Sequence, residues 1–155
     1  MTKNNAINTP MILSQFLSTS STATTACSTA LPRDDTIPQN TEGDEIITLS
    51  ITPVSSTSTL IIQFHGQAFL VTGLATQCAL FQDSTANALA ATGFTPFSVQ
   101  NISLLHTMTS GTTSSTTFKI RFGNTSGSAT MNTISSGVRA YGGIQLFWLT
   151  IKEYL

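Results

Sequence analysis

Charge is what this sequence has least of: Asp, Glu, Lys and Arg together supply 8% of its 155 residues, where an ordinary soluble domain has roughly 25%. The six basic residues are scattered along the chain. The clustered positive surface of a nucleic-acid-binding protein is therefore missing, and no nucleic-acid partner is expected. Long apolar runs are missing too. None approaches the ~18 residues of a membrane-spanning helix, so no membrane insertion is expected. The opening "MTKNNAINTPMILSQFLSTSS" has one lysine but no continuous apolar stretch, which argues against a secretory signal. Cysteine is nearly absent, and Cys27 and Cys78 form no CxxC or other ligand spacing. The expectation is two unpaired, buried thiols, with a disulfide between them left open.

Hydroxyl groups fill the gap. Ser and Thr make up about 30% of the residues, and the net charge is −1. A surface made polar by hydroxyls and amides has little electrostatic repulsion to keep copies apart. This reads as a component of an assembly and not as a freely diffusing enzyme. The length fits one domain with a core of its own.

Residues 1–20 are polar and irregular, with Pro10 and a Ser/Thr tract over 18–25. Ser and Thr compete for backbone hydrogen bonds and hold helix propensity down. This stretch reads as an N-terminal arm that docks on other proteins, with Asn4, Asn5, Ile7, Ile12, Leu13 and Phe16 as candidate docking residues. A single folded domain is expected over 21–155. "STATTACSTA" is small and β-tolerant, an edge strand closed by Leu31 and Pro32. "LPRDDTIPQNTEGDE" carries five of the seven acids and two prolines and reads as a long loop.

Beyond it the pattern has period two. Ile47, Leu49 and Ile51 alternate with Thr48 and Ser50; Leu60, Ile62, Phe64, Ala68 and Leu70 share a face; so do Ile102, Leu104, His106 and Met108. Phe118, Ile120 and Phe122 stand opposite Lys119 and Arg121. Eight or nine short strands at close spacing predict an all-β fold, an antiparallel β-sandwich of jelly-roll-like form. "ALFQDSTANALA" is the one stretch with helical leanings. A helix there would be short enough to be marginal, so a hairpin is expected: "TQCALFQ", a turn over 83–86, and "NALAA".

Two strands are apolar on both faces. In "GGIQLFWLTIKEY", read as a strand, Phe147, Leu149 and Ile151 point one way and Ile144, Leu146 and Trp148 the other. "TLIIQFHGQAFLV" carries Ile61, His65 and Phe69 on its second face. A sandwich strand needs only one apolar face, and leaving a large side chain out forgoes roughly 1.5–3 kcal/mol of burial. Ile61, His65, Phe69, Ile144, Leu146 and Trp148 are therefore candidates for an oligomer interface; coverage by loops of the same chain is the alternative.

Catalytic constellations fail on inventory, and no enzyme activity is expected. His65 and His106 sit mid-strand, there is no GxSxG elbow, and the acids over 34–45 match no EF-hand spacing. Apart from these only Asp83 and Glu153 remain, too few for an apposed carboxylate pair beyond chance. No catalytic residue, cofactor or metal site is assigned.

"DDTIPQNTEGDEIITLSITP", "ALFQDSTANALAAT", "TSGTTSSTTFKIRFG" and "RAYGGIQLFWLTIKEY", in that order and spacing, resemble a family of bacteriophage tail-fibre and virion-appendage tip domains over about residues 20–154. The final strand departs from the family pattern in carrying Phe147 and Trp148 where small residues are usual. The resemblance implies a jelly-roll-like homotrimer in the virion, on tail or capsid, that attaches to the host cell surface, with host glycan as a partner. Hydroxyl- and amide-bearing Thr112, Thr113, Ser114, Asn124 and Ser126 are the candidate receptor-facing residues. The alternative is a capsid decoration or fibre-anchoring protein with no receptor binding, held to other virion proteins by the arm.

Overall fold

The computed structural model describes residues 10–70, 75–95, 98–126, 129–135 and 137–155. Ten strands follow one another: β1 (Leu13–Ser21), β2 (Thr25–Cys27), β3 (Asp44–Ile51), β4 (Thr59–Leu70), β5 (Thr76–Gln82), β6 (Ala90–Phe94), β7 (Ser98–Thr109), β8 (Thr116–Asn124), β9 (Ala129–Met131) and β10 (Phe147–Tyr154). Among the described residues the only helical element is a single 3₁₀ turn at Tyr141–Gly143. None of them forms a helix long and apolar enough to cross a membrane.

Two antiparallel sheets make a sandwich. One runs β1-β10-β4-β7, with β9 and then β2 continuing past β10 on the same flank of β4; the other runs β3-β8-β5-β6. The main pairings are nested: β1 with β10, β3 with β8, β4 with β7, and β5 with β6. Nested antiparallel pairs shared between two sheets are the topology of a jelly roll. The expected all-β sandwich is therefore present, with β2 and β9 as short additions at three residues each.

The period-two reading places the core correctly. Leu60, Ile62, Phe64 and Ala68 of β4 meet Phe147, Leu149 and Ile151 of β10, and from the other sheet Phe118, Ile120 and Phe122 of β8, in one buried cluster. Close packing here depends on Gly66. A Cβ at that position would lie 2.8 Å from Phe147 Cβ and 2.7 Å from Met131 Cε, well inside van der Waals contact. Cys27 and Cys78 are free and buried in the same cluster. Burial pushes the Cys27 thiol up to about 12, with the Asp44 carboxylate adding to the shift, and burial pushes Cys78 up as well.

Four expectations are corrected. The arm does not stay irregular to residue 20, because 13–21 form β1, which pairs with β10 over its whole length. Its Ser and Thr residues, poor in helices, suit a strand with one face to solvent. The acidic loop ends earlier than expected: Asp44 and Glu45 open β3. The last strand begins at Phe147, not at the glycine pair, because Gly142 and Gly143 take positive φ and turn the chain. The hairpin at β5 and β6 holds, but its return strand starts at Ala90, since Asn87 instead forms a bridge with Gln39.

β5 is buried on both faces from Thr76 to Phe81. The segment between β2 and β3 lies over its outer side, where Leu31 packs with Ala79 and Phe81, and Ala88 joins them. The Asp44 carboxylate anchors the start of this crossing: Ser28 and Thr29 N–H donate to Oδ2, and the Thr29 hydroxyl donates to Oδ1 at 2.6 Å. Those bonds, the hydroxyl's foremost, hold the Asp44 carboxyl below its ordinary pKa.

Candidate functional site

The outer face of the β1-β10-β4-β7 sheet gathers most of the interface candidates. Register sets them side by side. Trp148 of β10 is directly opposite His65 of β4, their ring centroids 5.6 Å apart and the planes tilted by 31°. Ser20 of β1 and Ser103 of β7 extend that row. One row away on the same face, Ser18, Thr150, Gln63 and Leu105 line up, and Leu105 is 64% exposed. Beyond it come Phe16, Lys152, Ile61 and Thr107, with Lys152 Nζ 6.0 Å from the Phe16 ring centroid. At the other end Phe69 stands opposite Val99.

Ile61, His65, Phe69 and Trp148 are thus brought together, each half-buried. Across these rows Lys152 is the only charged side chain. Ile144 and Leu146 are not part of the row. They lie in the turn before β10, 78% and 41% exposed, so their expected alternation with Trp148 fails. Phe16, expected to dock with the arm, belongs to this face. Ile12 and Leu13 are exposed, and the Ile12 backbone is tied to Leu155 by two hydrogen bonds. Asn4, Asn5 and Ile7 lie outside the described residues.

The receptor-facing candidates do not converge. Thr112, Thr113 and Ser114 precede β8, while Asn124 and Ser126 are at its far end, so the strand's nine residues put roughly 30 Å between the two groups. Asn124 is withdrawn from that set. Its side chain faces inward, 1% exposed, with Oδ1 accepting from Ser126 N–H at 2.8 Å.

The buried acid of β10 has structural partners. Glu153 is fully buried near the end of β10 and holds the turn between β3 and β4. Val54 N–H donates to Oε1 at 2.8 Å, Ser58 Oγ lies 2.6 Å from the same oxygen, and Gln15 Nε2 donates to Oε2 at 2.7 Å. Burial opposes the charged form of Glu153, but these bonds outweigh it and hold the pKa below the ordinary value. His106 faces the interior beside Ile62, and desolvation lowers its pKa. His65 faces the opposite way, so the two imidazoles do not share a site. No group of three or more His, Cys, Asp or Glu converges among the described residues.

Sequence reasoning missed one feature, an open groove beside β6 lined by Pro32, Thr36, Pro38, Gln77, Ala91 and Gly93. Its walls come from segments far apart in the chain, and no local pattern announces it. Comparison of the chain with protein-family models and with curated proteins finds no match.

Proposed function

We propose that this chain is a non-enzymatic structural protein of a virion, self-associating through the outer face of its β1-β10-β4-β7 sheet and displaying the rest of its surface toward the host cell. The observation that carries the reading is that face itself. Half-buried Ile61, His65, Phe69 and Trp148, with exposed Leu105, form a nearly uncharged patch across three strands. Gln63 and the hydrogen-bonded pair Gln67 and Asn101 lie between the apolar members, and broad faces with large exposed side chains and little charge mark interaction surfaces. The homotrimeric state and the tail- or capsid-fibre setting come from the resemblance alone; the face supports association without fixing its order. A structural role is supported by Glu153, whose oxygens are committed to a turn, and by the separation of His65 from His106.

Mass measurement in solution tests the association. We expect an oligomer, and we expect Trp148→Asp to dissociate it without loss of fold, since Trp148 lies outside the core cluster. A stable monomer at tens of micromolar, or an intact oligomer of the variant, would refute the interface. Imaging of purified particles with the chain labelled tests the virion setting.

One observation favours the second reading, a decoration or fibre-anchoring protein with no receptor binding. The hydroxyl-bearing turns lie at opposite ends of β8 and do not make a common patch. Binding of the isolated protein to host cells separates the two.

A further inference from the structure

Five large apolar side chains stand exposed in the connection between β9 and β10: Ile134, Val138, Tyr141, Ile144 and Leu146. None belongs to the rows of the proposed association face. The connection is fixed at its base by buried Asn132, whose Nδ2 donates to Gln145 O at 2.9 Å. Two turns follow one another along it. In the first, Ile134 N–H donates to Val138 O at 2.9 Å; in the second, Ile144 N–H donates to Tyr141 O at 3.3 Å. Buried Ala140 lies between them. Tyr141 is at φ 51, followed by Gly142 at 64 and Gly143 at 86. Three left-handed residues in a row reverse the chain sharply, and a tyrosine rarely adopts that region. Here it is held there with 76% of the residue exposed, so its ring gains little packing within this chain.

Charge along this stretch has one sign. From Gly123 to Lys152 the sequence holds no Asp or Glu. Arg139, between the two turns, is exposed and donates from Nη2 to two backbone carbonyls, Thr22 O at 3.3 Å and Gly143 O at 3.2 Å. The first lies in the turn after β1, the second in the turn that carries Tyr141. Among the described residues no carboxylate pairs with this guanidinium; the one ion pair there is Lys119 with Glu45. Arg139 is thus positioned beside the second turn by carbonyls alone, with its charge uncompensated.

We infer that these turns dock on an anionic lipid surface, with Tyr141 and Ile144 entering the headgroup boundary and Arg139 meeting a lipid phosphate. A planar guanidinium matches phosphate geometry, and tyrosine is enriched where a bilayer meets water. The absence of acids along the connection removes the repulsion that an anionic surface would otherwise exert. Side chains that protrude singly from turns suit a fluid bilayer, which accepts each of them without the matched surface a folded partner must supply. Such docking is shallow and spans nothing, so the lack of a long apolar run does not bear on it. That the surface is a host membrane rests on the function proposed above; the lipid contact itself does not.

The test is flotation of the full chain with vesicles of phosphatidylcholine alone and of phosphatidylcholine mixed with phosphatidylglycerol. We expect binding to the anionic vesicles about fivefold tighter or more, the effect of one cation near such a surface. Arg139→Gln should remove that preference. Tyr141→Asn, which suits the positive φ, and Ile144→Asn should each weaken binding to the anionic vesicles about tenfold. Both residues are exposed, so the thermal midpoints of these variants should match the parent's. Absence of parent binding to the anionic vesicles overturns the inference, as does binding that survives both apolar substitutions. A parent that ignores lipid but loses its oligomeric mass on Ile144→Asn would overturn it too, and would assign the turns to contact with another copy. Because the solution mass of Trp148→Asp and particle imaging involve no lipid, a failed lipid contact and a failed virion reading give different results.

Discussion

Glu153 shows how one side chain sets the stability of a whole end of the sandwich. Its carboxylate is fully buried and answers donors from Gln15, Val54 and Ser58. Glu153→Ala would leave those groups without an acceptor and should cost about 2–4 kcal/mol, the range for stranding buried partners of a charged group. Thermal unfolding near neutral pH measures this; an unchanged midpoint would show that the turn does not depend on the carboxylate. The lowered pKa also fixes a pH dependence. The contribution is complete above the unfolded-state value, roughly 4.3, and is lost as pH falls through the lower folded value. Glu153→Gln should therefore be less stable than the parent at pH 7 and should flatten the decline of midpoint with acidification. At this scale the sequence was least informative. The alternation of Leu149 and Ile151 was legible, but the acid that continues it at 153 was given no side, and nothing in the string names its partners, because Val54 and Ser58 arrive through the pairing of β10 with β4.

Among the elements, the β5–β6 hairpin is the one whose identity was in question. Neighbouring strands decided it, since β5 has β8 on its other side and so must be extended. Asp83 then ends β5 at φ 51, outside the ordinary regions for a non-glycine residue. Its carboxylate accepts from the Thr116 hydroxyl at 2.9 Å and from Thr117 N–H at 2.7 Å. Those bonds stabilise a conformation that a bare side chain would resist. Asp83→Ala should lower stability by about 1–2 kcal/mol, with Asp83→Asn milder because asparagine tolerates positive φ and keeps one acceptor. Denaturant unfolding checks the order; equal losses in the two variants would show that neither the φ preference nor the remaining acceptor matters. The turn residue and the hairpin were legible, because Asp and Ser next to an alternating run are local signals. The boundary at Ala90 was not, since it depends on the Gln39 bridge from a distant loop. The crossing of the segment between β2 and β3 over β5 escaped for the same reason, and the β10 boundary was missed because two glycines read as the start of a strand were turning the chain.

For the molecule as a whole, low charge has a measurable consequence. Along the rows of the proposed contact face Lys152 is the only charged group, so association there draws on apolar burial more than on ion pairs. Raising the salt from about 50 to about 500 mM, which shortens the screening length severalfold, should leave the oligomer's midpoint of dissociation unchanged or shifted toward assembly. Dissociation by salt would mean that charged residues outside this face hold the copies together. The nested pairing has a different consequence, for the order in which the protein can be made. β10 lies between β1 and β4, and Leu13 pairs with Tyr154. During synthesis β1 therefore waits for a partner that emerges more than a hundred residues later, at roughly 5–20 residues per second. The core cluster cannot close until Phe147, Leu149 and Ile151 have left the ribosome. Closure of this sandwich thus waits for β10, and the uncharged β1 and the twelve residues of β7 must stay out of other chains' sheets in the interval.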